Sequence, residues 1–394
     1  MSYILFDTAL RTQLLPFTHT RPIADIRCGI LTLRERWEHL LAAPTASLCP
    51  AYMQAAFPGI QDNNAYTLIN GAVFADAALC AAIQALHTNE QLVHNGIMIA
   101  AKCDNPNVHY ENLQQLSAAW KPIPYTGTIQ MLEHSWDIFT QNEAHIIADF
   151  KLLTQGRSSE ALPAYVTAIG AENIFVEEGA QISACIINAS KGPVYIGAHA
   201  EIMEGCMLRG PIALKEQACL KMGAKVYGGT TIGPGCKVGG EVSNSVFFAN
   251  SNKGHDGFIG NAVVGEWCNL GADTNCSNLK NNYDFVKIWD EAQNKLINTG
   301  LQFCGLMMGD HAKTGINTMF NTGTVVGVSA NVFGSGFPEK FIPSFSWGGA
   351  EGIDVYDFDK AMQTAARMMA RRNQTLNEAQ IQLYRFLFDQ EQEA

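Results

Sequence analysis

A histidine in a glycine-rich stretch is the first group in this sequence that could perform acid–base chemistry. Residues 254–260 read Gly-His-Asp-Gly-Phe-Ile-Gly, and the amide side chains of Asn269 and Asn278 follow His255. Histidine side chains ordinarily have a pKa of about 6.5, so a neutral imidazole is available as a general base at pH 7. An isolated histidine is also common as a structural residue, and residue type alone does not decide between the two.

Aliphatic residues recur every six positions from about residue 165, and this repeat must position the histidine. A glycine often follows, as in Ile196-Gly197 and Val326-Gly327. A period of six is typical of a parallel β-helix, in which each coil has three short strands and one inward residue per strand. A β-sandwich should instead show turns every 8–12 residues. The repeat positions are Val176 and Ile182; Ile196, Ile202 and Leu208; Val226, Ile232 and Val238; Phe258, Val264 and Leu270; and Met308, Thr314, Phe320, Val326 and Val332.

The remaining segments are organised around this repeat. Residues 1–150 are predicted to form an α/β domain, because short apolar runs alternate with amphipathic helical patterns. Residues 151–164, which contain Gly, Ser and Pro, are predicted to be a linker, and the β-helix is expected over 165–350. Within it, residues 275–305 lack the repeat and are predicted to form an excursion loop that contributes to a binding face. Helical spacing returns in the tail, residues 351–394.

Composition limits the possible partners. The chain has 394 residues and a formal net charge of −11, which argues against nucleic acid or an anionic membrane as a partner. Its 11 cysteines are scattered without a CxxC motif, as expected for reduced thiols in the cytoplasm. The sequence shows neither a signal-peptide pattern nor a membrane-spanning run. Zinc binding is the alternative role for His199, His255 and His311, but they form no short paired motif, so we expect no metal.

Residues 225–334 resemble the acetyltransferase domain of the bifunctional glucosamine-1-phosphate N-acetyltransferase/N-acetylglucosamine-1-phosphate uridylyltransferase family. An archaeal-type branch of this family is also similar. The resemblance implies N-acetyl transfer from acetyl-CoA to glucosamine-1-phosphate or a related amino-sugar phosphate. It also implies a left-handed β-helix and a homotrimer with active sites between subunits. The matching motifs are Gly254-His255, Asn269-Leu270-Gly271-Ala272, Asn278, Met308-Gly309-Asp310 and, for the archaeal branch, Thr314-Gly315-Ile316-Asn317.

The resemblance further implies roles for individual residues. His255 would be the general base that removes a proton from the substrate amino group, and Asn278 would orient the amine or the thioester. Asn269 would hold the sugar. Lys225 lies near a family arginine that binds the sugar phosphate. Phe258 replaces a substrate-binding tyrosine, so one hydroxyl contact is missing.

Two further sets of positions follow from the same resemblance. Ser243 stands where the family has a second phosphate-binding lysine, and a lysine of the excursion loop, Lys280 or Lys287, would compensate. The family's pantetheine channel corresponds to backbone near Ala272, Ile316 and Gly334.

The N-terminal domain resembles sugar nucleotidyltransferases in outline. In that family the first strand leads into a turn of the form LAAGxGTRLxPLT, whose glycines expose backbone N–H groups to the nucleotide phosphates, and a Pro-Lys pair follows. Residues 6–18 fit this frame. The two glycine positions are occupied by Ala9 and Arg11, the arginine position by Gln13 and the lysine position by Ile23. The resemblance to the two-domain family therefore covers nearly the whole chain, without the nucleotide-binding signature.

Three interpretations of the chain stay open. In the first, the chain is an acetyltransferase whose N-terminal domain no longer transfers nucleotides. In the second, it is a divergent sugar-1-phosphate nucleotidyltransferase that uses UTP or dTTP and Mg²⁺; Arg11, Arg21 and Arg27 are then the nucleotide-site cations, and the β-helix serves oligomerisation or regulation. In the third, it is a non-catalytic scaffold that binds sugar nucleotides.

Overall fold

A six-stranded mixed sheet forms the core of the N-terminal domain. The computed structural model describes residues 2–59, 65–105 and 107–393. β1 pairs in parallel with β2 and β3, and β5 pairs antiparallel with β3 and β4. The strands are β1 (Ser2–Phe6), β2 (Thr45–Leu48), β3 (Tyr66–Asn70), β4 (Glu90–His94), β5 (Ile97–Cys103) and β6 (Lys121–Pro124), in the spatial order β2-β1-β3-β5-β4-β6.

Helices cover this sheet and connect its strands. α1 begins with a capping box, in which the Glu35 amide donates to Thr32 Oγ1 at 3.0 Å and the Thr32 amide donates to Glu35 Oε2 at 2.7 Å. Between β1 and α1 the chain forms three short 3₁₀ turns, Ala9–Leu14, Phe17–His19 and Ile23–Asp25. The helices are α1 (Leu33–Leu41), α2 (Ala77–Gln84), α3 (Leu113–Ser117), α4 (Asp137–Thr140) and α5 (Asn142–Thr154).

A parallel β-helix follows, as the six-residue period predicts. We call its three faces the open, docked and polar faces. The open face contains Thr167–Ile169, Ile186–Asn188, Met207–Arg209, Lys225–Val226, Glu241–Ser243 and Phe258–Gly260, and then the pair Asn275–Cys276 and Met319–Phe320. The docked face contains Ile174–Val176, Val194–Ile196, Ile212–Leu214, Thr230–Ile232, Val246–Phe247, Val263–Val264, Met307–Met308, Val325–Val326 and Phe341–Ile342. The polar face contains Gln181–Ile182, Glu201–Ile202, Cys219–Leu220, Lys237–Val238 and Asn252–Lys253, and then Lys313–Thr314, Asn331–Val332, Ser346–Gly349 and Gly352–Val355.

The interior of the β-helix confirms the repeat, with one change of phase. Ile196, Ile232 and Val264 are among its fully buried residues. Phe258 was predicted to point inward, and this is wrong: Ile259 is the buried residue of that strand, whereas Phe258 is partly exposed on the open face. The phase differs because the coils are not equally long, so the spacing between inward residues is not always six.

The N-terminal domain packs against one side of the β-helix. The three 3₁₀ turns after β1 contribute Leu14, Phe17 and Ile23, which are completely buried. They share one apolar cluster with outward residues of the docked face, including Val263 and Met307. Burial of this apolar surface stabilises the association of the two domains.

The excursion loop packs against the docked face, and the tail packs along the edge between the docked and polar faces. The loop forms a hairpin of Lys287–Asp290 and Lys295–Asn298, and Trp289 stacks on Phe341 with ring centroids 5.3 Å apart. The tail forms α6 (Phe358–Ala370) and α7 (Glu378–Glu393), which pack on Trp267 of the β-helix and on Met53 of the N-terminal domain. None of the helices in the described part of the chain is long and apolar enough to cross a membrane.

Candidate active site

His255 lies in a turn at the edge between the polar and open faces. The turn covers residues 254–257, between the strands Asn252–Lys253 and Phe258–Gly260, and the histidine side chain is exposed. The chain passes through this edge once in every coil, so side chains in successive turns stack along it. Polar groups at such positions are accessible to a ligand.

The positions predicted to line the pantetheine channel lie on the same edge in the following coils. Ala272 is in the next turn, followed by Ile316, which is 71% exposed, and by Gly334. The turns are joined by backbone hydrogen bonds, including one from the Asn317 amide to the Ala272 carbonyl at 2.8 Å. We call this row of turns, residues 254–257, 271–274, 315–318 and 333–334, the His255 edge.

The predicted sugar-phosphate residues lie on the two faces that meet at the edge. On the open face, Lys225 is exposed and is in register with Glu241, which is in register with Phe258 on the next strand. Asn269 is exposed on the polar face, where its backbone pairs with Asn252 of one neighbouring coil and Lys313 of the other.

The carboxylate of Glu241 between Lys225 and Phe258 was not identified from the sequence. Its position in the six-residue repeat, directly after Gly239-Gly240, could have shown that it begins an outward-facing strand. A carboxylate there favours a cationic or hydroxyl-bearing group over a phosphate as its immediate neighbour.

Asn278 lies on the opposite edge of the open face. Its Nδ2 donates to Asn261 Oδ1 at 2.8 Å. A Cβ added to Gly260 would lie 2.6 Å from Phe258 Cζ and 2.7 Å from Asn278 Nδ2. The structure thus brings Asn278 next to Phe258. His255 is at the other end of this three-residue strand, and such a strand is about 10 Å long.

The loop lysines are on the same side as Asn278. Lys280 Nζ donates to the Phe285 carbonyl at 2.6 Å and lies 3.8 Å from Asp284 Oδ2. Lys287 is exposed, and its carbonyl accepts a hydrogen bond from Lys340 Nζ at 3.3 Å. The two lysines and His255 therefore do not form one cluster within a single chain.

The three arginines considered for a nucleotide site all bind protein groups. Arg11 donates to the Thr18 carbonyl at 2.6 Å and to Tyr52 Oη at 2.8 Å. Arg27 donates to the Ile30 carbonyl at 2.6 Å and lies 3.2 Å from Glu35 Oε2. Each of these contacts uses donors that a nucleotide phosphate would need.

Arg21 joins the two domains. Its guanidinium pairs with Glu266 Oε1 at 2.7 Å and with Asp310 Oδ2, both on the β-helix. Thr20 Oγ1 donates to the same Asp310 oxygen at 2.6 Å. Burial of Asp7, directly after β1, raises the pKa of its carboxyl to about 6, although it accepts a hydrogen bond from the Ile23 amide. The loop after β1 is thus a docking segment in this structure.

Across residues 2–59, 65–105 and 107–393, no three His, Cys, Asp or Glu side chains are grouped so that they could hold a metal ion. The 11 cysteines are all buried as free thiols.

Similarity to known proteins agrees with this architecture. Residues 3–158 match the family model described as sugar nucleotidyl transferase. An uncharacterized acetyltransferase, YaiX, of Escherichia coli O6:K15:H31 (strain 536 / UPEC) is 28% identical over 161 residues, covering 40% of this chain and 69% of that protein. The bifunctional protein GlmU of Synechococcus elongatus is 23% identical over 262 residues, covering 60% of this chain and 54% of that protein.

A third relative is the bifunctional sugar-1-phosphate nucleotidylyltransferase/acetyltransferase of Sulfurisphaera tokodaii, which is 32% identical over 93 residues, covering 24% of this chain and 23% of that protein. The chain spans about half the length of the GlmU relative and less of this one. The predicted resemblance to bifunctional nucleotidyltransferase/acetyltransferase proteins is confirmed, and with it the assignment to transferases.

Proposed function

We propose that this protein transfers an acetyl group from acetyl-CoA to the amino group of glucosamine-1-phosphate or a related amino-sugar phosphate. One observation carries the proposal: the exposed His255 stacks in one edge with the turns of Ala272, Ile316 and Gly334. Its relatives include proteins named as acetyltransferases and as bifunctional nucleotidylyltransferase/acetyltransferases, which supports acyl transfer in this chain.

The reaction assigns one role to each group. The His255 imidazole accepts a proton from the substrate amine, whose nitrogen attacks the thioester carbonyl. The new C–N bond forms, the C–S bond breaks, and the CoA thiolate leaves and takes up a proton. Lys225 and Phe258 bind the sugar phosphate, with the Glu241 carboxylate between them facing a sugar hydroxyl, and Asn269 binds the sugar. The backbone at Ala272, Ile316 and Gly334 holds the pantetheine arm.

Asn278 takes part only if a second copy of the chain is present, because it lies across the open face from His255. We therefore propose a homotrimer with sites between subunits, to which a neighbouring copy brings Asn278 with Lys280 or Lys287. Exposed apolar residues on the open face support this assembly: Ile186 is 44% exposed and Met207 43% exposed. Such a face is a candidate for association with identical copies.

The test is thiol release from acetyl-CoA in the presence of glucosamine-1-phosphate. Replacing His255 with Ala should lower kcat by about 10²–10⁴-fold, the usual contribution of a general base. His199→Ala is the matched control, because His199 is an exposed histidine on another edge of the β-helix. Full wild-type activity in His255→Ala would disprove the mechanism.

Sugar-1-phosphate nucleotidyl transfer is the second candidate, favoured by the family match of residues 3–158. A cavity of about 460 Å³ between the domains is lined by Arg21, Arg27 and Arg34, although these arginines are already paired. Pyrophosphate release from UTP or dTTP with a sugar-1-phosphate and Mg²⁺ would establish this activity. Tight binding of sugar nucleotides without either reaction would instead favour a scaffold.

A further inference from the structure

The turn that carries His255 differs from the turns above it on the same edge. In the coil above, the second residue of the 271–274 turn, Ala272, accepts a hydrogen bond from the amide of the third residue of the 315–318 turn, Asn317. At the His255 turn this pattern shifts by one residue: the Asp273 amide donates to the Asp256 carbonyl, at 3.0 Å. The His255 carbonyl is thereby left out of the ladder between coils.

The backbone conformation shifts in the same way. The third residue of the regular turns has a positive φ, which is 56° at Asp273 and 59° at Asn317. In the His255 turn the positive φ is instead at the fourth residue, Gly257, at 116°. A side chain there would also collide with the Thr274 carbonyl. The turn therefore differs in shape from its neighbours, in a way that glycine permits, and its His255 carbonyl needs a contact outside the regular ladder.

A lysine inside the β-helix supplies such a contact. Lys253 is 1% exposed and occupies an inward position in register with Val238, six residues before the buried Ile259. Its Nζ donates to the Gly239 carbonyl at 3.0 Å and to the His255 carbonyl at 2.8 Å. The ammonium thus takes the place of the missing hydrogen bond between coils.

The coil below leaves room for this ammonium. Its corresponding turn is shortened to Gly239 and Gly240, between the strands Lys237–Val238 and Glu241–Ser243. Burial lowers the pKa of Lys253 to about 8, and the carboxylates of Asp256 and Asp273 oppose this shift. A charged group in an otherwise apolar stack is costly unless its hydrogen bonds are satisfied.

We propose that Lys253 is a positioning residue: by holding the His255 carbonyl it fixes the 254–257 turn and the direction of the His255 imidazole. The effect of Lys253 on catalysis rests on the proposed acetyl transfer. The effect of Lys253 on the turn is independent of that proposal and can be measured separately.

The test compares Lys253→Met with Lys237→Met in the full-length protein. Methionine suits an inward position lined by apolar residues, and Lys237 is an exposed lysine on the same face, in register with Asn252. We expect exchange of the two amides that donate to this turn, Glu241 to the Gly257 carbonyl and Asp273 to the Asp256 carbonyl, to accelerate at least tenfold in Lys253→Met and to be unchanged in Lys237→Met. We also expect kcat to fall at least tenfold, with the KM for acetyl-CoA within twofold of wild type.

A further variant covers the case in which Lys253→Met does not fold. Lys253→Gln keeps an N–H donor, and exchange of the Glu241 and Asp273 amides should then lie between wild type and the methionine variant. Wild-type exchange of these two amides in folded Lys253 variants would overturn the inference, whether or not the protein shows activity. If His255→Ala abolishes transfer while Lys253→Met keeps wild-type kcat, the proposed function stands and the positioning role fails.

Discussion

Two segments of this chain suggest ligand binding from their sequence, and they differ in what their polar groups do. In the segment after β1, residues 8–27, the arginines are hydrogen-bonded to protein groups, and Leu14 and Phe17 are completely buried. Along the His255 edge, His255 and Ile316 are exposed and the backbone departs from its own repeat.

The difference shows how a motif can keep its frame and change its use. Where the sugar nucleotidyltransferase pattern has glycines that cradle phosphate, this chain has a 3₁₀ helix, Ala9–Leu14, whose apolar side chains face the β-helix. A cation that satisfies a buried carboxylate cannot also neutralise a phosphate without leaving that carboxylate unpaired. The N-terminal segment therefore joins the domains, whereas the exposed groups of the His255 edge remain accessible to a ligand.

The largest effect is expected for Arg21→Ala, which tests whether residues 8–27 hold the two domains together. The Arg21 side chain is 6% exposed, and its loss leaves the buried carboxylate of Asp310 without its partner. Removing one member of a buried pair typically costs about 3–5 kcal/mol, which should appear as a lower free energy of unfolding in urea. Arg157→Ala, which breaks the more exposed pair with Glu177, should cost about 1 kcal/mol or less. Unchanged stability in Arg21→Ala would remove the basis for calling residues 8–27 a docking segment.

Much of the fold could be predicted from the sequence because the repeat reports directly on geometry. Each strand with its turn takes about six residues and buries one of them, so the period of six can be read from local sequence. The docking of the domains could not be predicted, because the apolar side chain of Phe17 indicates that it is buried and does not indicate which surface it packs against. Arg21 likewise pairs with Glu266 and Asp310, which are 245 and 289 residues further along the chain.

The candidate site was partly accessible for the same reason. His255 and Ala272 are 17 residues apart (272 − 255), close to the length of one coil, so their common edge could be inferred from spacing. Asn278 lies on the far edge of the open face, which spacing along the chain does not reveal. Lys253 could have been found by counting six residues back from Ile259, but the predicted phase placed Phe258 in the interior instead.

The buried charge beneath the His255 turn should make the stability of the protein depend on pH. With a folded-state pKa of about 8 against an ordinary value of 10.5, Lys253 loses its proton in the folded protein before it does so in the unfolded chain. The unfolded state then binds more protons between pH 8 and 10.5, so this group's contribution to stability rises with pH in that window. The stability of Lys253→Met relative to wild type should therefore fall by about 2–3 kcal/mol from pH 7 to pH 10.5.

Urea unfolding at the two pH values measures this change. Lys237→Met is the control, and its stability relative to wild type should stay constant. A pH-independent difference between Lys253→Met and wild type would mean that the ammonium is not confined in the interior as the structure shows.

A smaller effect is expected at Phe258, where the resemblance implies a lost hydroxyl. Phe258 is partly exposed on the open face beside Asn278. If the face binds the sugar phosphate, Phe258→Tyr should lower the KM for glucosamine-1-phosphate about two- to tenfold, the value of one hydrogen bond. Phe303→Tyr, at a 47% exposed phenylalanine of the loop, should leave KM unchanged. An unaltered KM in Phe258→Tyr would exclude Phe258 from substrate contact.

The smallest effect on folding, and the sharpest test of assembly, is expected from Met207→Glu. Met207 is 43% exposed on the open face, so a charge there should change the stability of the isolated chain by about 0.5 kcal/mol or less. In the proposed trimer the same charge would be buried against a neighbour, and the particle mass in solution should fall to that of one chain. Acetyl transfer should fall with it, because His255 would lose the Asn278 of a second copy. Gln181→Glu, on the exposed polar face, should preserve both mass and activity. A trimer that persists with Glu at position 207 would place the interface elsewhere, and full activity in a monomer would mean that one chain completes its own site.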